Sequence, residues 1–349
     1  MTIKHPLKIT LPLAFLTVFT AGCAVQTEHD NFCAPSTLSK EMALSVNAKT
    51  PPLWQTVPQS MDEWHTLADN FAKAGAANAT ALAQKYNVDI SEGKIGGVRT
   101  FTLTPSKVDV DKKDKVILYI HGGGYVLGQG VGGTAEAIYL AGLHNYKIVC
   151  VDYRMAPDYP FPAAIEDSFT VYKELIKEYG AENIAVFGTS TGGAMTFILS
   201  LQAHDAEIAQ PGALVSGTPW ADLDKIGDSY FVNDGVDNIL GNYDHLIKSA
   251  AKAYANGADL KDPFISPVYA SDEALRDFPP TLLISGTRDL FLSNTVRMHK
   301  RLLLNDVNTD LVVYEALSHA QYYLNSSAPE TFEHYEIVDK FLEKNFIKK

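Results

Sequence analysis

Ile184-Ala185-Val186-Phe187-Gly188-Thr189-Ser190-Thr191-Gly192-Gly193-Ala194-Met195-Thr196-Phe197-Ile198-Leu199 decides how the rest of the chain is read. It opens as a short apolar run of the kind that forms a buried strand and closes as a helix start, with G-x-S-x-G between them. A strand that turns this sharply into a helix holds the serine in a strained backbone conformation. Glycines belong on either side because a side chain there collides with the neighbouring strand or helix. By composition alone about one chain in ten of this length carries G-x-S-x-G. Its place between a strand and a helix makes Ser190 a candidate nucleophile, presented at the tip of the turn.

A second apolar run, Lys115-Val116-Ile117-Leu118-Tyr119-Ile120, ends in His121-Gly122-Gly123-Gly124-Tyr125. Chance supplies H-G-G-G in only roughly one chain in several hundred. Three glycines expose successive backbone N–H groups with no side chains in the way, which is how an oxyanion hole is built. A phosphate loop needs a Gly-Lys-Ser/Thr ending, and a dinucleotide fingerprint needs Gly-x-Gly-x-x-Gly after a first strand. Neither occurs here, so the N–H groups of Gly123 and Gly124, with that of Thr191 behind the nucleophile, are the candidate oxyanion donors.

Two more strand-like runs each lead into a titratable residue. Thr281-Leu282-Leu283-Ile284-Ser285-Gly286-Thr287-Arg288 precedes Asp289, and Leu311-Val312-Val313-Tyr314-Glu315-Ala316-Leu317-Ser318 precedes His319. Ser, then Asp, then His is the chain order of one triad arrangement. In an open parallel sheet all of these groups gather outside the carboxyl ends of the strands. Glu315 is the second candidate acid, but it lies too close along its strand to His319. Tyr125, Trp220 and Tyr322 follow the glycine loop, a strand and the histidine, and are candidate pocket residues with a core role equally open.

These motifs, with Asp152-Tyr153-Arg154-Met155-Ala156-Pro157 and Phe161-Pro162-Ala163-Ala164, resemble the hormone-sensitive-lipase-like family of α/β-hydrolases. The stretches from Asp262-Pro263-Phe264 to Ser318-His319-Ala320 are similar to its acetyl esterase and monoterpene ε-lactone hydrolase branch. The chain departs from the family at Thr191, where Ala is common, and at His319-Ala320-Gln321, where His-Gly-Phe is common. Ser293 and Asn294 stand where many relatives carry an acidic pair. The resemblance implies a mostly parallel sheet covered by helices on both faces, with a helical cap. It also implies an ester or lactone substrate and no cofactor. Asp152 and Arg154, charged residues after a strand, read as a structural latch.

Composition agrees. Of 349 residues 46% are apolar and 20% charged, ordinary values for a globular enzyme. A formal charge of −12 without a basic block argues against nucleic acid. Strand-like runs at 98–103, 116–120, 148–151, 184–187, 213–216, 281–285 and 311–314 alternate with helical stretches, as a helix-covered parallel sheet requires. Residues 93–349 form the expected catalytic domain, interrupted by an insertion at about 222–264 that joins helices at 56–92 as the cap. Residues 23–55 are polar and proline-bearing and read as a tether. Before them, Lys4, His5 and Lys8 precede an apolar run at 9–19 too short to span a bilayer, and Thr20-Ala21-Gly22-Cys23 follows. This resembles a bacterial lipoprotein signal, with cleavage after residue 22, lipid on Cys23 and, from Ala24, an outer-membrane destination; an ordinary signal peptide is the alternative. Of the remaining cysteines, Cys150 sits in a strand and Cys33 in the tether, and no cluster has metal-ligand spacing.

The chemistry implied is acyl transfer to water through Ser190. A lactonase or amidase with the same triad, and a small-molecule binding module on the same fold, stay open at this point.

Overall fold

The apolar runs become strands: β1 (Val88–Ile95), β2 (Val98–Pro105), β3 (Val116–Ile120), β4 (Ile148–Val151), β5 (Ile184–Thr189), β6 (Ala213–Gly217), β7 (Thr281–Gly286) and β8 (Thr309–Tyr314). The computed structural model describes residues 34–348, and its sheet runs β1-β2-β4-β3-β5-β6-β7-β8. β1, β2 and β4 pair antiparallel, and every pairing from β4 through β8 is parallel. β3, β5, β6 and β7 are buried along their whole length, which explains their unbroken apolar reading.

The pleat divides each strand between two cores. Val116, Leu118 and Ile120 pack with residues of the helices Ala163–Tyr179, Thr191–Asp205 and Leu292–Leu304. Ile117 and Tyr119 pack with the helices Ala135–His144 and Pro329–Leu342 on the other face. Helices therefore cover both sides, and the carboxyl ends of β3, β5, β7 and β8 share one edge.

Two expectations need correction. Residues 88–92 are not cap helix; they belong to β1, whose hairpin with β2 turns on Gly96 and Gly97 at φ 60 and 86. β1 is mostly exposed and polar, so it lacks the apolar signature of the inner strands. The described part of the expected tether is folded. Ser39 caps the helix Lys40–Val46 by accepting from Met42 N–H, and Met42 and Val46 are buried. Ser39 also donates through its N–H and Oγ to the Glu330 carboxylate, each at 2.7 Å. Two apolar side chains one helical turn apart anchor a stretch whose overall composition is polar. The apolar run at 9–19, Cys23 and Cys33 lie outside the described residues.

One long helix, Met61–Tyr86, follows; Ser60 caps its start and Asn87, at φ 54, ends it. The insertion carries the helices Ser229–Val232 and Leu246–Ala255. Asp152 and Arg154 are latches, but to different partners: Asp152 pairs with Arg99 at 2.9 Å, and Arg154 grips Asp167. Glu315 is exposed and accepts from Thr37 Oγ1 at 2.7 Å, and it is Asp289 that bonds the histidine.

Candidate active site

Ser190 ends β5 and caps the helix Thr191–Asp205 with φ 63 and ψ −121, the strained conformation its motif demands. Its N–H donates to the Gly217 carbonyl of β6 at 2.8 Å, and its carbonyl accepts from Ala194 and Trp220 at 3.0 Å each. A Cβ on Gly192 would land on the Ile120 carbonyl of β3, so only glycine lets the elbow approach that strand. Gly123, at φ 122, is packed as tightly against the Leu127 carbonyl, and its own carbonyl accepts from Val126 and Leu127 N–H at 3.1 and 2.9 Å. Thr191 is the first residue of its helix, so its N–H has no intrahelical acceptor and points out of the helix start.

Asp289 is completely buried just past β7. Its Oδ1 accepts from Phe291 N–H and from His319 Nδ1, both at 2.9 Å, and its Oδ2 accepts from Ser285 Oγ at 2.6 Å. Asn233 Nδ2 donates to the Asp289 carbonyl at 2.8 Å. A carboxylate at Nδ1 selects the tautomer whose Nε2 is free to accept a proton. His319 is itself buried, in the loop after β8.

Ser190, Gly123 and Gly124 line one pocket, with Trp220 and Phe291 forming a wall. Trp54, Leu246 and Ile247 line it too, so the N-terminal segment and the insertion both contribute to the pocket. Trp220 and Phe291 stack at 5.4 Å, and Phe291 meets the His319 ring edge-on at 4.8 Å. This contact joins the Asp289–His319 pair to the pocket that holds Ser190. The free space between the lining side chains, about 10 Å³ for the centre of a water-sized sphere, holds about one water. Of the three aromatics expected at the pocket, Trp220 is there and two are not. Tyr125, at φ 64, turns into the core and stacks on Tyr254 at 3.6 Å. Tyr322 lies behind the elbow, its OH 3.2 Å from Thr189 Oγ1. Trp54 carried no motif that singled it out.

Two buried carboxyls also escaped the sequence. Glu136 accepts from Thr189 Oγ1 at 2.6 Å and from Tyr119 OH at 2.8 Å, and burial pushes it up to about 7 despite those bonds. Asp237, in the insertion, is pushed up to about 6 by burial and by the neighbouring Asp289. Neither belongs to a short motif, because each meets the site from a distant stretch of chain. Among the described residues no three His, Cys, Asp or Glu side chains are grouped to hold a metal ion.

Residues 117–323 match a family model described as the alpha/beta hydrolase fold. A crystal structure of an esterase, E25, superposes with a TM-score of 0.85 at 40% identity, over 90% of this chain and 96% of that one. The structure of an esterase from the bacterial hormone-sensitive lipase family matches at 25% identity and TM-score 0.75, over 88% of this chain and 99% of that one. An acetyl-hydrolase of Streptomyces hygroscopicus is 25% identical over 80% of this chain and 92% of its own. With this sheet order, this elbow and these relatives, the chain belongs to the α/β-hydrolase family, in its hormone-sensitive-lipase-like branch.

Proposed function

We propose that the chain is a serine hydrolase of small carboxylic esters, working through an acyl-enzyme on Ser190. Ser190 Oγ attacks the ester carbonyl while His319 Nε2 takes its proton and then gives it to the leaving alcohol. Asp289 holds the imidazole tautomer and stabilises the imidazolium that forms. The N–H groups of Gly123, Gly124 and Thr191 receive the oxyanion, each worth about 3 kcal/mol where such donors have been removed elsewhere. Water, activated by the same histidine, then releases the acid. No step calls for a cofactor.

The observation that carries this reading is Ser190 at φ 63 and ψ −121, at a helix start, in one pocket with Gly123 and Gly124. Relatives named esterase and acetyl-hydrolase support the ester as substrate. Trp54, Leu246, Ile247, Trp220 and Phe291 give the pocket an apolar lining for an acyl group. Hydrolysis of p-nitrophenyl esters from C2 to C12 tests it, with Ser190→Ala alongside. Turnover is expected to be greatest for the shortest chains and absent in the variant; equal turnover in the variant would remove Ser190 from the mechanism.

We further propose export and lipid attachment at Cys23, supported by the apolar run at 9–19 and Thr20-Ala21-Gly22-Cys23. Two or more acyl chains give stable membrane attachment. Growth of the producing cells with labelled palmitate should mark the protein, and Cys23→Ser should abolish the label. A label that persists in the variant would overturn the assignment.

A further inference from the structure

Asp237 is completely buried, although it belongs to the irregular stretch between the helices Ser229–Val232 and Leu246–Ala255. Its carboxylate has two distinct ends. Oδ1 accepts from Ile239 and Leu240 N–H at 2.9 and 3.0 Å, which fixes the group on its own turn. Oδ2 accepts from Leu290 N–H at 2.8 Å and from His319 N–H at 3.3 Å. One oxygen therefore joins the residue next to Asp289 to the histidine itself. Those two loops leave different strands, β7 and β8.

The neighbours of Asp237 repeat the connection. Asn233 Nδ2 donates to the carbonyls of Asp289 and Thr287. Asn238 takes Ser318 Oγ and Gln321 Nε2 on its Oδ1, and its N–H donates back to Ser318 Oγ. A single turn of the insertion is thus bonded to both loops. The charged and titratable groups facing Asp237 from those loops are Asp289 and His319. Holding two carboxyls together in a buried place is unfavourable by itself. The four N–H donors offset that cost, and a merely space-filling position would need none of them.

We infer that Asp237 is a positioning residue for ester hydrolysis: beside the direct bond from Arg288 N–H to the Leu317 carbonyl, its Oδ2 holds the main chain of His319 itself against the residue after Asp289. The insertion, besides lining the pocket, braces the acid–base pair. This rests on the roles proposed above for Asp289 and His319. An error of about 1 Å in such a pair costs on the order of a hundredfold in rate.

The test is steady-state hydrolysis of p-nitrophenyl acetate by the full chain with Asp237→Asn and Asp237→Ala, beside His319→Ala. Asparagine keeps the shape and one acceptor but turns an NH2 group toward donors at one end. The expected result is kcat lowered by about a hundredfold in Asp237→Asn with KM within about threefold, since the group acts on alignment and not on substrate contact. Formate should restore part of the rate to Asp237→Ala by filling the vacated carboxylate site. Wild-type kcat in a folded variant, or a loss carried by KM, would overturn the inference. So would loss of folding in both variants, which would make Asp237 a stability residue. If His319→Ala retained activity, the parent mechanism would fail instead, and the two failures are told apart.

Discussion

Ser190 and the Gly123–Gly124 turn owe their places to backbone, whereas Asp289 and His319 are held by backbone and by side chains together. The elbow is fixed by ladder bonds to β6, by a strained serine and by a glycine pressed on the β3 carbonyls. The loops of the acid–base pair, on the same sheet edge, share a backbone bond from Arg288 N–H to the Leu317 carbonyl and are further tied by Ser285 of β7 and by Asn233 and Asp237 of the insertion. The two constructions should fail differently. A backbone contact at van der Waals distance has no room for a partial loss, because interiors do not yield by an ångström. A set of hydrogen bonds to a charged group loses its members one at a time, each worth about 1.5–3 kcal/mol.

Gly192→Ala carries the largest expected effect. The added methyl overlaps the Ile120 carbonyl, so β5 and β3 have to part or the elbow has to unwind. A loss above about 4 kcal/mol is expected, seen as insoluble protein or a much lowered Tm together with no activity. Ser190→Ala is the clean counterpart: activity should fall by about a millionfold while Tm stays near the wild-type value. A soluble, active Gly192→Ala would show that the elbow tolerates movement and that the contrast drawn here is false.

Asp289→Asn comes next and belongs to the other half. The fold should survive, since Phe291 N–H and Ser285 Oγ still find an amide beside them. With its NH2 toward His319 Nδ1 the amide selects the wrong tautomer, and with its oxygen there it still lacks the charge that stabilises the imidazolium, so a loss of up to about ten-thousandfold in kcat is expected. Circular dichroism and kcat on one preparation separate this from unfolding. A variant that lost its fold would place Asp289 among the structural residues.

The same contrast governs what the sequence displays. Where backbone geometry is the constraint, particular residues are forced at particular spacings, so Ser190, Gly123 and Gly124 could be named from short strings. The buried strands β3, β5, β6 and β7 were equally plain, because burial on both faces leaves only apolar residues. Side-chain constructions leave no such string. Asp237 and Glu136 act from the insertion and from the helix Ala135–His144, and only the fold brings them to the site. Tyr125 and Tyr322 show the converse. A motif fixes where the main chain goes but not where the next side chain points, and both rings turned away from the pocket. β1 was missed because an exposed, polar edge strand has no apolar alternation to read, although Gly96-Gly97 marked its turn.

Glu136, a side-chain anchor on the backbone-built half, carries the smallest expected effect. Thr189, the residue before the nucleophile, donates to it, and burial holds its carboxyl at about 7 against an ordinary 4.5. Between those values the folded protein keeps a proton that the unfolded chain has released, so stability falls as pH rises from about 4.5 to about 7. The difference of about 2.5 units amounts to about 3 kcal/mol over the whole window. Asp237, raised to about 6, contributes in the same direction but only below that value. Between pH 6 and 7 Glu136 takes away about 1 kcal/mol, while His334, His121 and His299, held neutral by burial in the folded protein, pull the other way as the unfolded chain loses its histidine protons. Glu136→Gln keeps an acceptor for one hydroxyl and a donor for the other, and has no proton to lose. The histidine contributions are common to both proteins, so the Tm of the variant should rise relative to the wild type's from pH 6 to 7, and its kcat at pH 6 should stay within about threefold of wild type, since the alignment of Ser190 rests on backbone. If kcat fell by orders of magnitude while Tm held, the nucleophile too would depend on a side-chain network, and the two halves of the site would be built alike.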